Sequence, residues 1–246
     1  MRPAAPNEVT CPACGAKQFR WSDVRPFYMA KTCPACGMKH FRESILCGNT
    51  FGAKYFSDGK MVAPELSEFP SVTKCHTCSA LFKITEEMIY RGSMVDYSGT
   101  WDDYPLVEFL SVDDYIRAIE SGLCNSGPKG SEEFNNDAFM LRLMLWMAFN
   151  DIFRYPDNDP RAIADPRYQE NCRAILSEIP EDGANDPDIL TLAEIHRNLG
   201  EFDECIRLLG KIADKDGFKP CISAFMEQCA ARNSKTFQIA ESEQQY

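Results

Sequence analysis

Three Cys-x-x-Cys pairs, Cys11/Cys14, Cys33/Cys36 and Cys75/Cys78, set the strongest condition on how this chain can fold. Two cysteines separated by two residues can turn both thiolates toward one ion, and two such turns supply the four soft ligands that structural zinc prefers. The pairs sit in similar stretches, "CPACGAKQF" at 11–19, "CPACGMKHF" at 33–41 and "CHTCSALF" at 75–82. Gly15 and Gly37 follow their second cysteines, where a tight turn often requires positive φ. Phe19, Phe41 and Phe82 can then cover the site with apolar bulk. The chain has 12 cysteines, and those outside the pairs stand singly in longer segments. That distribution fits metal ligation in a reducing compartment better than a secreted disulfide framework.

Six paired thiolates do not divide evenly among four-coordinate sites. Cys11/Cys14 can join Cys33/Cys36 across eighteen intervening residues, or Cys33/Cys36 can join Cys75/Cys78 across thirty-eight. Spacing alone leaves both pairings open. The stretch "GNTFGAKYFSDGKMVAPELSEFPSVTKCHTCSALF" at 48–82, following a CPxCG knuckle, resembles a zinc-ribbon segment of uncharacterised bacterial proteins. The resemblance favours the second pairing, with Cys33, Cys36, Cys75 and Cys78 around one Zn2+. Cys11 and Cys14 would then form an extra knuckle, completed by Cys47, by His40, by another chain, or by nothing. His40 and His76, beside and within knuckles, are expected to be packing or exposed side chains rather than ligands.

A catalytic zinc keeps an open coordination position and usually a nearby general acid or base. No such motif is recognisable in the sequence, and four sulfurs are at hand, so the expected role of the metal is to stabilise a small head that lacks a large core. No Gly-rich phosphate loop, H-E-x-x-H motif or nucleophile arrangement is present either. Within the ribbon, "SDGK" at 57–60 is a turn signal and "PELSEFP" at 64–70 limits sheet pairing. Asn49, Ser57 and Asp58 are accordingly read as turn or backbone-bonding residues.

Charge divides the chain. Residues 1–100 carry 12 Lys/Arg against 9 Asp/Glu, a balance of +3, whereas residues 101–246 carry 14 against 28, a balance of −14. The acidic part repels phosphate backbones, which leaves the mildly basic head as the surface a nucleic acid could use. Lys17, Arg20, Arg25, Lys31, Lys39, Arg42, Lys54 and Lys60 would supply phosphate contacts there, and Phe19, Trp21 and Phe41 could stack on bases. No run of 18 or more apolar residues and no hydrophobic leader occur in the sequence, so the expectation is a soluble, cytoplasmic protein with no membrane contact.

Past residue 110 the pattern becomes helical. "SVDDYIRAIESGL" at 111–123 has Ser111 as N-cap and Gly122 near its stop, with Tyr115, Ile116 and Ile119 as the buried stripe. The segment 134–156 is apolar nearly all round a helical wheel, which predicts a central helix in which Met140, Met144 and Met147 pack. A further helix is expected over 167–179. In "LAEIHRNLGEFDECIRLL" at 192–209, Leu192, Ala193 and His196 face one way, Gly200 permits a turn, and Phe202, Cys205, Ile206 and Leu209 line the next helix.

That segment resembles a tetratricopeptide repeat, over about residues 187–220, with Cys205 where the family usually has alanine. Cys172 and Cys205, like Ile175 and Leu208, stand 33 residues apart, close to the family's period of about 34. The resemblance implies stacked helical hairpins with a concave face for peptides or partner domains. Arg197, Asn198 and Arg207 are the candidate exposed contacts on it, and a last helix over 218–233 would cap the stack.

The expected fold class is therefore α+β, a small N-terminal zinc ribbon of short strands followed by an all-α helical-repeat-like domain. The divisions are a head at 1–95, a connector with a short helix at 96–129, a helical domain at 130–233 and a tail at 234–246. The function expected of such a chain is a non-catalytic, zinc-stabilised protein-interaction or adaptor module, with a protein or peptide partner on the helices. The alternative is nucleic-acid binding through the head.

Overall fold

The computed structural model describes residues 8–10, 17–19, 27–44, 50–84 except 65 and 67, 105–123, 132–154 and 165–241. Short antiparallel strands come first and helices follow, an α+β arrangement. The strands begin as hairpins: β1 (Glu8–Thr10) with β2 (Lys17–Phe19), and β3 (Phe27–Thr32) with β4 (Lys39–Ser44). Next come β5 (Lys54–Phe56) with β6 (Met61–Val62), turning at 57–60, and β7 (Val72–Lys74) with β8 (Leu81–Lys83). The described residues between 64 and 71, where Pro64 and Pro70 remove backbone donors, carry no strand.

The β7–β8 hairpin is fastened to the helices. Val72 is buried in one core with Tyr115 and Ala118 of α1 (Val112–Glu120) and Leu141, Leu145, Trp146 and Phe149 of α2 (Glu132–Arg154), and Leu81 packs against it. Lys74 Nζ lies 3.1 Å from Asp114 and Lys83 Nζ 2.8 Å from Asp137, so both strands carry a cation to a helix. Ser111 caps α1 as expected, accepting from the Asp114 amide at 3.2 Å, and Gly122 ends its run at φ +64°. In α2 the buried positions step by four, Leu141, Leu145 and Phe149. Met140 falls on the opposite side and is 49% exposed, so it does not pack as expected, while Met144 does.

Three more helices continue the body: α3 (Pro166–Glu178), α4 (Asp186–Asn198) and α5 (Phe202–Leu209). Asp165 and Asn185 cap the first two, each with a proline in the first turn that needs no donor there. Gly200, at φ +79°, turns α4 back into α5. Leu192 and Ala193 bury against Phe202, Cys205, Leu208 and Leu209, and α6 (Lys219–Ala230) covers them with Phe225 and Cys229. Leu208 takes the inward place expected of Ile206. The 202–205–208/209 spacing sets the buried face of this short helix and leaves Ile206 39% exposed.

The stretch read as a tail contributes β9 (Gln238–Glu241), which pairs antiparallel with β5 and extends the sheet to the order β6-β5-β9. The turn between β5 and β6 then enters the helical body. Asp58 accepts both prongs of its contact from Arg154 Nη1, at 2.6 and 2.8 Å, and a third bond from Asn150 at 3.0 Å, while Tyr168 donates to Asn150 at 2.9 Å. Ser57 donates to Glu194 at 2.6 Å, and Glu194 also accepts from Arg197 and Asn198. Arg197 and Asn198, expected at the surface, are instead buried. Arg197 donates to the carbonyls of Asn233 and Lys235, and Asn198 to that of Ser234, so both tie down the chain that leads into β9. Only Arg207 of the three expected contacts is exposed, and it is held by Glu181 and Glu204.

Candidate metal centre

Each of two hairpins has a cysteine knuckle as its turn. In the first, Cys33 N–H donates to Met38 O at 2.8 Å and Gly37 N–H to Cys33 O at 2.9 Å. In the second, Cys75 N–H donates to Ala80 O at 2.8 Å and Ser79 N–H to Cys75 O at 2.8 Å. The two loops thus repeat one hydrogen-bond pattern at the same offsets. Both need a left-handed residue after the second cysteine: Gly37 at φ +74° in one, Ser79 at φ +59° in the other. Glycine takes that conformation freely, whereas serine adopts it against its own Cβ.

The knuckles face each other. The sulfurs of Cys33, Cys36, Cys75 and Cys78 all lie within 4.8 Å of one another, with Cys33 to Cys78 at 3.7 Å and Cys36 to Cys75 at 3.6 Å. A tetrahedral zinc with Zn–S bonds of about 2.3 Å separates its sulfurs by about 3.8 Å, so the set fits such an ion. Of the two pairings left open by spacing, Cys33/Cys36 with Cys75/Cys78 is the one brought together. Cys11, Cys14 and Cys47 lie outside the described residues.

Four sulfurs so close cannot all ionise without a cation among them. Burial raises the Cys75 thiol, but the amides of Cys78 and Thr77 and the side chains of His40 and Cys36 outweigh it and bring the group down to about 5. At Cys36 the Met38 amide lowers the value, yet burial and the neighbouring thiols of Cys78, Cys75 and Cys33 push it up to about 12. A divalent cation removes this conflict by neutralising charge at the point where the sulfurs converge.

Apolar cover comes from Phe82, buried with Cys33 and Cys75, and from Met38, Ala80 and Ile84 packed against them. On the other side a shallow depression of about 360 Å3, lined by Cys36, Gly37, Met38, Lys39 and Thr77, opens to solvent. Cys36 and Cys78 are correspondingly exposed and Cys33 and Cys75 buried. His76 lies at the surface, 3.8 Å from Glu108. His40 is fully buried with Nε2 3.4 Å from Cys75 Sγ, which places it at this cluster rather than at the Cys11/Cys14 knuckle. That contact was not legible in the sequence, where His40 lies 35 residues from Cys75.

Of the basic residues proposed for phosphate contact, Lys31 is buried and Lys60 is bound to Asp151 at 2.9 Å, while Lys39 and Lys54 are exposed. The side chains of Lys17, Arg20, Arg25 and Arg42, and of Phe19, Trp21 and Phe41, lie outside the described residues. Among those described, no helix is long and apolar enough to cross a membrane. A scan of protein-family models, a search of curated proteins and a search of solved structures each return no match.

Proposed function

We propose that Cys33, Cys36, Cys75 and Cys78 hold one zinc ion, and that the protein is a non-catalytic interaction or adaptor module built around that clasp. The observation that carries this reading is the fit of four sulfurs, 3.6 and 3.7 Å apart across the two knuckles, to a closed tetrahedral site. Four protein ligands leave a tetrahedral zinc no position for substrate or water, so its contribution is to the folded arrangement. When bound, the ion supplies cross-linking and charge neutralisation, and the chain's own residues do the rest. Cys75 and Cys78 are anchored to the helices through Val72, Lys74 and Lys83, while Cys33 and Cys36 belong to the β3–β4 hairpin. Closing the site therefore docks that hairpin on the body.

The helices would carry the partner. The α4–α5 hairpin, turned at Gly200 and covered by α6, supports this reading, since stacked helical hairpins present broad faces to peptides. The acidic balance of residues 101–246 favours a partner with basic character. Nucleic-acid binding by the head has less support, because Lys31 and Lys60 are already engaged in the fold. The reducing cytoplasm suits a site that needs free thiolates.

Native mass spectrometry of the reduced full-length chain, purified without added metal, tests the first half of this reading. One zinc per chain, lost in Cys75→Ser, is the expected result. Iron in place of zinc, or no metal at all, would sink it. Cross-linking in the source cells, followed by mapping of the linked peptides, tests the second half. Protein cross-links on α3–α6 are expected, whereas salt-sensitive capture of a single-stranded oligonucleotide by the intact chain would transfer the function to the head.

A further inference from the structure

His40 is placed in a way that the four-sulfur centre by itself does not require. It stands on β4 directly opposite Lys31 of β3, and both side chains are fully buried. Its ring is enclosed by Phe82 and His76, each with a centroid separation of 5.7 Å. Nε2 reaches Cys75 Sγ at 3.4 Å, but the ring does not belong to the group of side chains whose ligand atoms all converge. Nδ1 is buried and has no hydrogen-bond partner among the described residues.

A buried imidazole of this kind would be a poor place for a second N–H, since a donor at Nδ1 would be desolvated without an acceptor. The neutral tautomer protonated on Nε2 puts the one available proton between the ring and the sulfur. We propose that His40 is a positioning residue of the metal centre, donating its Nε2–H to the Cys75 thiolate and so holding that sulfur in place for the ion. The bond draws charge off a sulfur that is shielded from water, and it fixes the χ1 of a ligand on the body-anchored half of the site. Groups that hydrogen-bond to a metal's ligands commonly affect its retention by roughly 10–100-fold. His40 thereby adds a specific hold on the metal that the exposed sulfurs of Cys36 and Cys78 do not receive from it.

The proposal rests on the metal reading above, and the experiment separates the two. The reduced full-length chain is loaded with a spin-active cadmium isotope and its histidine ring nitrogens are observed by NMR. Expected are a His40 ring protonated on Nε2 and bare on Nδ1, and a scalar coupling from that proton through Cys75 Sγ to cadmium. His40→Phe, which keeps the ring volume but has no N–H, should retain one cadmium and surrender it to a competing chelator roughly 10-fold or more easily. His40→Gln, which can still donate, should recover part of that loss.

A ring protonated on Nδ1, or a missing coupling together with unchanged cadmium retention in His40→Phe, overturns the assignment and leaves the metal reading standing. Failure of the wild-type chain to bind cadmium at all overturns both. If His40→Phe does not fold, the presence or absence of the coupling in the wild-type chain decides the matter.

Discussion

Asp58 and Arg154, 96 residues apart in the chain, form a two-pronged ion pair at 2.6 and 2.8 Å with side chains 0% and 1% exposed. It joins the turn of a two-stranded hairpin to the end of the longest helix. Burial alone would weaken the Arg154 charge, but the adjacent Asp58 and Asp151 carboxylates raise its pKa and keep it protonated. Removing one partner of such a pair typically costs about 3–5 kcal/mol, because the other charge is left desolvated. Arg154→Met should approach that loss in urea denaturation, since Asp58 would keep only Asn150 and the Lys60 amide. Asp58→Asn should cost less, as Arg154 retains Asp151 at 2.7 Å. The double variant should be more stable than Arg154→Met alone; a loss equal to the sum of the two single losses would deny the coupling.

Metal removal should act locally. Among the described residues, the apolar cluster at the sulfurs has Cys33, Cys75 and Phe82 as its buried members, a small core, whereas the helices have two larger cores of their own. Treatment with a chelator under reducing conditions should therefore expose the amides of β3 and β4 to hydrogen exchange while those of α2, α4 and α5 stay protected. Loss of protection throughout the helices would show that the metal holds the whole chain together.

The left-handed positions of the knuckles should respond in opposite directions. A Cβ added at Gly37 meets nothing within 4 Å, so the cost of Gly37→Ala comes from its φ of +74° alone, about 1–2 kcal/mol. Ser79→Gly removes the same strain from the second knuckle and should raise thermal stability slightly, less than about 1 kcal/mol after the added freedom of the unfolded chain is counted. A stabilising Gly37→Ala would contradict the matched geometry of the two loops.

Deleting residues 236–246 should be costly. It removes Phe237, whose ring lies 4.7 Å from the Arg197 guanidinium and packs edge-on to Phe225, together with Ile239 and the strand that pairs with β5. Two partly buried apolar side chains of this size account for about 2–4 kcal/mol. An unchanged denaturation midpoint in the truncated chain would mean that β9 contributes nothing to the fold.

Acid should loosen the surface between α3 and α5. Hydrogen bonds from Arg207 and Lys211 hold the Glu181 carboxyl at about 2, against an ordinary value of 4.5. A folded-state value below the unfolded one means that the contribution is fully present above about 4.5 and is lost as pH falls toward 2. Glu181→Gln should flatten the pH dependence of stability in that window, and concentrated salt should mask much of the difference because these groups are exposed. An identical slope in the variant would refute the link.

The sequence by itself determined the local parts of this protein. Cys-x-x-Cys knuckles are made by neighbouring residues, so their positions, and the glycine needed at Gly37, are legible without any fold. The same holds for Ser111 as a cap and Gly200 as a turn, since each is a relation across a few residues. Spacing could not choose between the two cysteine pairings. Facing of the β3–β4 and β7–β8 turns decided it, and that depends on how hairpins 39 residues apart pack.

Long-range burial was likewise decided only in three dimensions. Arg197 and Asn198 look like exposed polar residues at the end of a helix, and Ser57 and Asp58 look like ordinary turn residues. Arg197, Asn198 and Ser57 become interior because the 233–241 segment folds back over them and supplies carbonyls, a strand and Phe237, while Asp58 is enclosed by Asn150 and Arg154 of α2. One local hint existed: Glu194 and Arg197, three apart in one helix, are spaced to pair with each other. Charges spaced to satisfy each other within one helix can be buried, but whether they are depends on what covers them, and a residue's own neighbours in sequence do not specify its cover.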